Sequence, residues 1–107
     1  MHSDRVNYKL IYITFGRMQF VVLDTRKDSA THGNWMEFDV NYTEPRMFLL
    51  PPAVLNGHLV LSDHLVFNYK LSSHYAPIDQ QIHVKYNDPL YRIPWKCKDP
   101  ILSDRDR

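Results

Sequence analysis

A chain of 107 residues has room for one small domain, and a domain this size leaves enough surface exposed that a partner subunit would add to its stability. Its 13 Lys and Arg and 12 Asp and Glu are interspersed, for a net charge of +1; this offers no basic arm to nucleic acid and no charged face to a membrane. The single cysteine, Cys97, excludes an intrachain disulfide and a cysteine-held zinc cluster, and it suits a reducing compartment.

No apolar run approaches the length of a transmembrane helix, and no hydrophobic stretch of the signal-peptide kind follows Met1-His2-Ser3-Asp4-Arg5. The expectation is a soluble, cytoplasmic protein.

Many Tyr, Phe and Pro with only 3 Gly favour short strands over helices. Tyr8 to Thr14 reads as a strand closed by a turn at Phe15-Gly16-Arg17, and Met18 to Asp24 follows it. After a polar stretch from Thr25 to Gly33, Trp35 to Val40 alternates, with Trp35, Glu37 and Asp39 opposite Met36, Phe38 and Val40. Arg46 to Leu50 stops at Pro51-Pro52, which cannot continue a central strand. His58 to Ser62 and Leu65 to Leu71 read as a hairpin around Asp63 and His64, and Gln81 to Tyr86 is the last strand. From Asn87 onward the prolines predict an irregular, wrapped tail. Short strands at close spacing, with no helical stripe, predict an all-β sandwich or barrel in one domain spanning 1–107.

Two of these strands carry polar groups on apolar faces. Lys9 shares a side with Ile11 and Ile13, and Tyr69 shares one with Leu65, Phe67 and Leu71. A lysine so placed either snorkels from an edge or is used in a site. A tyrosine so placed is either a core residue with its hydroxyl at the rim or part of a site.

Leu49-Leu50-Pro51-Pro52, then Asn56-Gly57-His58 and Val66-Phe67-Asn68-Tyr69-Lys70, then Tyr75-Ala76-Pro77 and Asn87-Asp88-Pro89, and finally Ile93-Pro94-Trp95 and Leu102-Ser103 with Asp106, run in one order along the chain. In front of them stand Lys9-Leu10, Asp24-Thr25-Arg26-Lys27-Asp28-Ser29 and Gly33-Asn34-Trp35. This succession resembles the dTDP-4-dehydrorhamnose 3,5-epimerase family across nearly the whole chain. The resemblance implies a cupin-like jelly-roll barrel, incomplete at its N-terminal strands, because family members carry a sizeable portion ahead of the position of His2. That portion includes strands that pair with a partner subunit and an arginine that grips the diphosphate. The chain is therefore expected to be short at its front end, and to aggregate or form a homodimer that covers an open sheet edge.

The resemblance also implies chemistry: inversion of C3, C5 or both in a nucleotide-linked 4-keto-6-deoxy sugar, without a cofactor. His2 stands at the family's base and Asp106 at the carboxylate that orients it. Lys9 matches the lysine beside the keto oxygen, where a preorganised donor is worth about 3 to 4 kcal/mol. Tyr69 matches the acid on the opposite face of the sugar, and Tyr75 a second tyrosine near the nucleotide. Asn56 stands where the dTDP-rhamnose enzymes usually have histidine, which leaves the nucleotide (dTDP or GDP), the sugar and the number of centres open. His58 reads as structural.

No two of the 6 histidines are separated by a single residue, so the His-x-His pair with which many cupins bind a metal is absent, and no metal site is expected. Two other functions stand beside the epimerase: a non-catalytic remnant or sugar-nucleotide binding module, and a ketoisomerase on the same barrel.

Overall fold

The computed structural model describes residues 1–107 as eight strands, with single 3-10 turns at Ile78–Gln80 and Asp104–Asp106. The strands are β1 (His2–Asp4), β2 (Lys9–Phe15), β3 (Arg17–Asp24), β4 (Trp35–Asn41), β5 (Phe48–Leu50), β6 (Val54–Val60), β7 (Val66–Leu71) and β8 (Gln81–His83). They form a five-stranded sheet in the order β4-β3-β6-β1-β8 and a three-stranded sheet in the order β5-β2-β7. All pairings are antiparallel. Two such sheets packed through their inner faces give the cupin-like architecture that the resemblance implied. No helix is long and apolar enough to cross a membrane.

Alternation along the strands explains the packing. Met18 and Phe20 of β3, Val40 of β4 and Ile11 and Ile13 of β2 turn inward, and the core between the sheets forms around them. Phe20 and Ile11 are fully buried, each contributing about 1.5–3 kcal/mol of transfer free energy. On the other face of the large sheet, Met1, Val21, Leu23 and Leu55 form a second apolar cluster, covered by Trp35, Ile82, Tyr91, Ile93 and Trp95. β3 is therefore covered on both sides, which is why Phe20 to Leu23 run apolar without alternation.

The irregular tail is held to that outer face by named polar contacts. The Trp35 Nε1–H donates to the Tyr91 carbonyl (2.9 Å) and the Trp95 Nε1–H to the Tyr86 carbonyl (2.7 Å). Gln19 is fully buried on the outer face; its Nε2 donates to the Pro94 carbonyl (3.1 Å), and its Oε1 accepts from the Lys96 N–H (2.9 Å). The tail is thus fixed across the sheet before it returns with Asp106.

The polar stretch after β3 is organised by Asp24. Its carboxylate accepts from the Arg26 guanidinium, from the Ser29 hydroxyl (2.7 Å) and from the Thr31 hydroxyl (2.5 Å). These donors, Arg26 first, hold the carboxyl far below its ordinary range against the opposing effect of burial. The Asp-x-Arg-x-x-Ser block is therefore a loop clasp.

The strand readings differ from the structure in several places. His58–Ser62 and Leu65–Leu71 do not pair as a hairpin: β6 lies between β3 and β1 in the large sheet, and β7 pairs with β2 in the small one. The chain crosses between sheets at Ser62–Leu65, where the Ser62 hydroxyl donates to the His64 carbonyl (2.6 Å) and accepts from the Arg17 N–H (2.9 Å). β6 also begins four residues before His58, and β8 ends at His83 rather than Tyr86. Finally, residues 2–4 form a strand that local sequence did not indicate, because it exists through its neighbours β6 and β8.

Candidate functional site

The sheet registers set one row of side chains across the large sheet. Val22 faces Asn56, Asn56 faces His2, and His2 faces His83. Directly paired residues point to the same side. At the β4 and β3 end this inner face is filled by the apolar core. At the other end it opens into a cavity of about 280 Å³. Sites for small molecules commonly enclose about 300–1,000 Å³, so this space is of the order of a sugar ring rather than a whole sugar nucleotide.

All six residues singled out in the sequence line this one cavity: His2, Lys9, Asn56, Tyr69, Tyr75 and Asp106. They come from β1, β2, β6, β7, the loop after β7 and the last 3-10 turn. Lys9 and Tyr69, the two polar residues on apolar strand faces, stand on the small sheet, and His2 and Asn56 stand on the large sheet opposite.

His2 Nε2 is hydrogen-bonded to Asp106 Oδ1. The other oxygen of Asp106 accepts from the Ser103 hydroxyl (2.7 Å), which fixes the carboxylate from behind. With Nε2–H given to the carboxylate, the ring's only acceptor is Nδ1. That atom is shut off from solvent and has no hydrogen-bond partner, a condition that native structures tolerate mainly where a group has work to do. Burial lowers the His2 pKa to about 4, overcoming the Asp106 hydrogen bond that raises it, so the imidazole is neutral near pH 7. Asp106 sits below its ordinary range: burial opposes this, but the Ser103 and His2 hydrogen bonds outweigh it. A neutral imidazole beside a carboxylate is the protonation state of a general base.

Lys9 Nζ donates to Asn56 Oδ1 at 2.9 Å. An ammonium only donates, so this bond fixes the amide with its oxygen toward Lys9 and leaves its NH₂ for another acceptor. Burial lowers the Lys9 pKa, countered by the Asp4 carboxylate. On the neighbouring strand of the same sheet, Tyr69 is 55% exposed, with its ring tilted and centred 6.4 Å from that of Phe67. The Tyr75 hydroxyl accepts from Arg105 Nη1 (2.8 Å), and Arg105 Nη2 also donates to Gln81 Oε1 (2.5 Å). His58 stacks on Phe67 with centroids 4.3 Å apart and has its pKa lowered by burial, a packing role on the cavity wall.

Sequence reading did not find Arg105, Ser103 or His83. The first two flank Asp106 and could have been suspected from that position alone. His83 stacks on His2, with centroids 4.6 Å apart and planes 15° from parallel. His2, His83 and Asp106 also bring one ligand-type atom each within 4.8 Å of one another, a grouping that the spacing of the histidines could not reveal. Nearly parallel stacked rings do not turn both of their planes onto a single ion, so the geometry is that of a stack.

Three comparisons bear on this arrangement. The profile of the dTDP-4-dehydrorhamnose 3,5-epimerase family matches residues 1–107. The dTDP-4-dehydrorhamnose 3,5-epimerase of Pseudomonas aeruginosa is 34% identical over 100 residues, covering 92% of this chain and 55% of that protein. The crystal structure of the Bacillus anthracis enzyme of the same name, with TDP and PPi bound, superposes with a TM-score of 0.92 at 33% identity, over 99% of this chain and 62% of that one. A Legionella pneumophila dTDP-6-deoxy-D-glucose-3,5-epimerase, in complex with dTDP-4-keto-L-rhamnose, superposes with a TM-score of 0.87 at 29% identity, over 98% and 57%. The chain thus spans little more than half the length of these relatives. With the family profile matched from end to end and the site residues gathered in one cavity, the chain belongs to the dTDP-4-dehydrorhamnose 3,5-epimerase family.

Proposed function

We propose that this chain epimerises a nucleotide-diphospho-4-keto-6-deoxy sugar at C3, C5 or both, with its own side chains as the only acid and base. The observation that carries the reading is the His2–Asp106 pair, held in the same cavity as Lys9 and Tyr69. His2 takes the proton α to the carbonyl on its imidazole, and Asp106 steadies the imidazolium that results. The electron pair left behind is delocalised as an enolate, whose oxygen accepts a hydrogen bond from Lys9 and from the Asn56 amide. Tyr69, on the facing sheet, gives its phenolic proton to the same carbon from the other side, which inverts it. Solvent then reprotonates the phenolate and takes the proton from His2. Tyr75 and Arg105, at the mouth of the cavity, meet the nucleotide end of the substrate.

The proposed assembly is a homodimer. Val66 of the edge strand β7 is 47% exposed and Leu49 of the edge strand β5 is 65% exposed, and a second copy would cover such edges. Size-exclusion chromatography at twice the monomer mass supports this, and a stable monomer at high concentration refutes it.

The test of the reaction is solvent exchange. The keto-sugar nucleotide is incubated with the folded chain in heavy water, and deuterium is followed at C3 and C5. Incorporation above the blank, lost in His2→Ala, supports epimerisation. Folded protein that gives no incorporation refutes it and leaves a binding module.

A further inference from the structure

The stack between His2 and His83 is not used by the reaction just proposed. The two residues face each other directly across β1 and β8. Their rings overlap at 4.6 Å and 15°, and a ring nitrogen of each lies within 4.8 Å of an Asp106 oxygen. His2 lines the cavity, whereas His83 does not and is exposed. His83 therefore backs the base from the solvent side.

A base needs its ring plane fixed as well as its position. The Nε2 bond to Asp106 pins one atom of His2, and no second hydrogen bond at Nδ1 fixes the ring plane. A flat ring stacked on one face supplies the missing restraint, since a swing would break the overlap. Partial desolvation of the His83 ring lowers its pKa first, then the Met1 amino group, Arg105 and Lys85 add to the effect against Asp106, which favours the neutral ring.

We propose that His83 is a positioning residue for the His2 base, its imidazole clamping the His2 ring in the plane that meets Asp106. The inference rests on the epimerase reading for its consequence in catalysis but not for its geometry. It requires a flat ring at position 83 and no proton transfer through it.

The experiment compares His83→Ala and His83→Phe in the full chain, with two readouts. The first is the pair of imidazole ¹⁵N chemical shifts of His2, which needs no substrate. The clamp predicts well-separated shifts in the parent, for protonated Nε2 and bare Nδ1. It predicts shifts drawn together by tautomer exchange in His83→Ala, and parent-like separation in His83→Phe. The second readout is the exchange rate in heavy water: His83→Ala is expected to lose about tenfold in kcat with little change in KM, the scale of a loosened catalytic group, and His83→Phe to recover most of it. Parent-like ¹⁵N shifts in His83→Ala overturn the proposal, as does a kcat in His83→Phe no better than in His83→Ala. If His83→Ala does not fold, His83→Phe decides alone: parent-like shifts support the clamp and averaged shifts overturn it. An inactive parent with the predicted shifts would refute the epimerase reading and leave the clamp standing.

Discussion

His2 and Asp106, 104 residues apart in the chain, are hydrogen-bonded through Nε2 and a carboxylate oxygen. The contact depends on two separate pieces of packing. β1 places His2 between β6 and β8, and the tail reaches Asp106 only after Trp95, Pro94 and Lys96 have been tied to Tyr86 and Gln19.

Asp106→Asn tests what the carboxylate does beyond holding position. The amide can still occupy the site, but its NH₂ can donate to Nε2 and select the wrong tautomer. Heavy-water exchange is expected to fall by about a thousandfold or more, the scale at which an orienting carboxylate acts in hydrolytic triads. The thermal midpoint should move by only a few degrees, because the residue sits in a half-exposed terminal turn. Near-parent exchange would show that the dyad is not used.

Lys9→Met separates catalysis from stability. The substitution keeps the stem that packs beside Ile11 and removes a partly buried ammonium. It should leave the thermal midpoint unchanged or raise it, because desolvation of that charge opposes folding. Exchange should fall by about 100- to 1,000-fold, as expected when a donor to a developing oxyanion is lost. A parallel loss of stability and activity would instead make Lys9 a structural residue.

The two largest shifts, of different origin, set most of the pH dependence. The folded pKa of His2 is about 4 against an ordinary 6.5, because burial disfavours its charge. Between those values the unfolded chain binds a proton that the folded chain does not. Stability should therefore fall as pH drops from 6.5 to 4 and gain no further loss from this group below that. Asp24 is depressed by its hydrogen bonds; its contribution is intact above the ordinary carboxylate range and is lost as pH falls below it. Thermal midpoints of the parent, His2→Gln and Asp24→Asn from pH 8 to 3 separate the two: His2→Gln flattens the upper window and Asp24→Asn the lower. Exchange activity should hold between pH 8 and 5 if His2 is the base, since it stays neutral there.

Lys9 and Tyr69 were legible in the sequence because strands alternate: a polar residue at period two among apolar ones declares which face it shares. Strand β4 was legible for the same reason, and β3 as a largely apolar run between the Gly16 turn and a polar stretch. β1 was not, because three residues carry too little pattern and its strand exists only through β6 and β8. The supposed hairpin at Asp63-His64 failed because a turn signal marks where the chain bends, and the same alternation serves a return within one sheet or a crossing to the facing one. His83 was hidden because its partner lies in the unrecognised β1.

Gly16 offers a test of that crossing. It closes the turn between β2 and β3 at φ +94°, a conformation that L side chains rarely adopt. A Cβ there would stand 2.2 Å from the His64 carbonyl oxygen and 2.8 Å from the Ser62 hydroxyl, the two groups that make the crossing turn. Neither can yield freely, because Ser62 is itself bonded to both His64 and the Arg17 N–H. Gly16→Ala should therefore destabilise the chain by about 3 kcal/mol, combining backbone strain with overpacking, read as a shift in the urea midpoint at constant slope. Gly16 lies seven residues beyond Lys9 along β2, about 23 Å in an extended strand, so exchange per folded molecule should stay near the parent value. A β6–β7 hairpin within one sheet would lift residues 62–65 off this turn, and the substitution would then cost only the strain of the positive φ, about 1 kcal/mol.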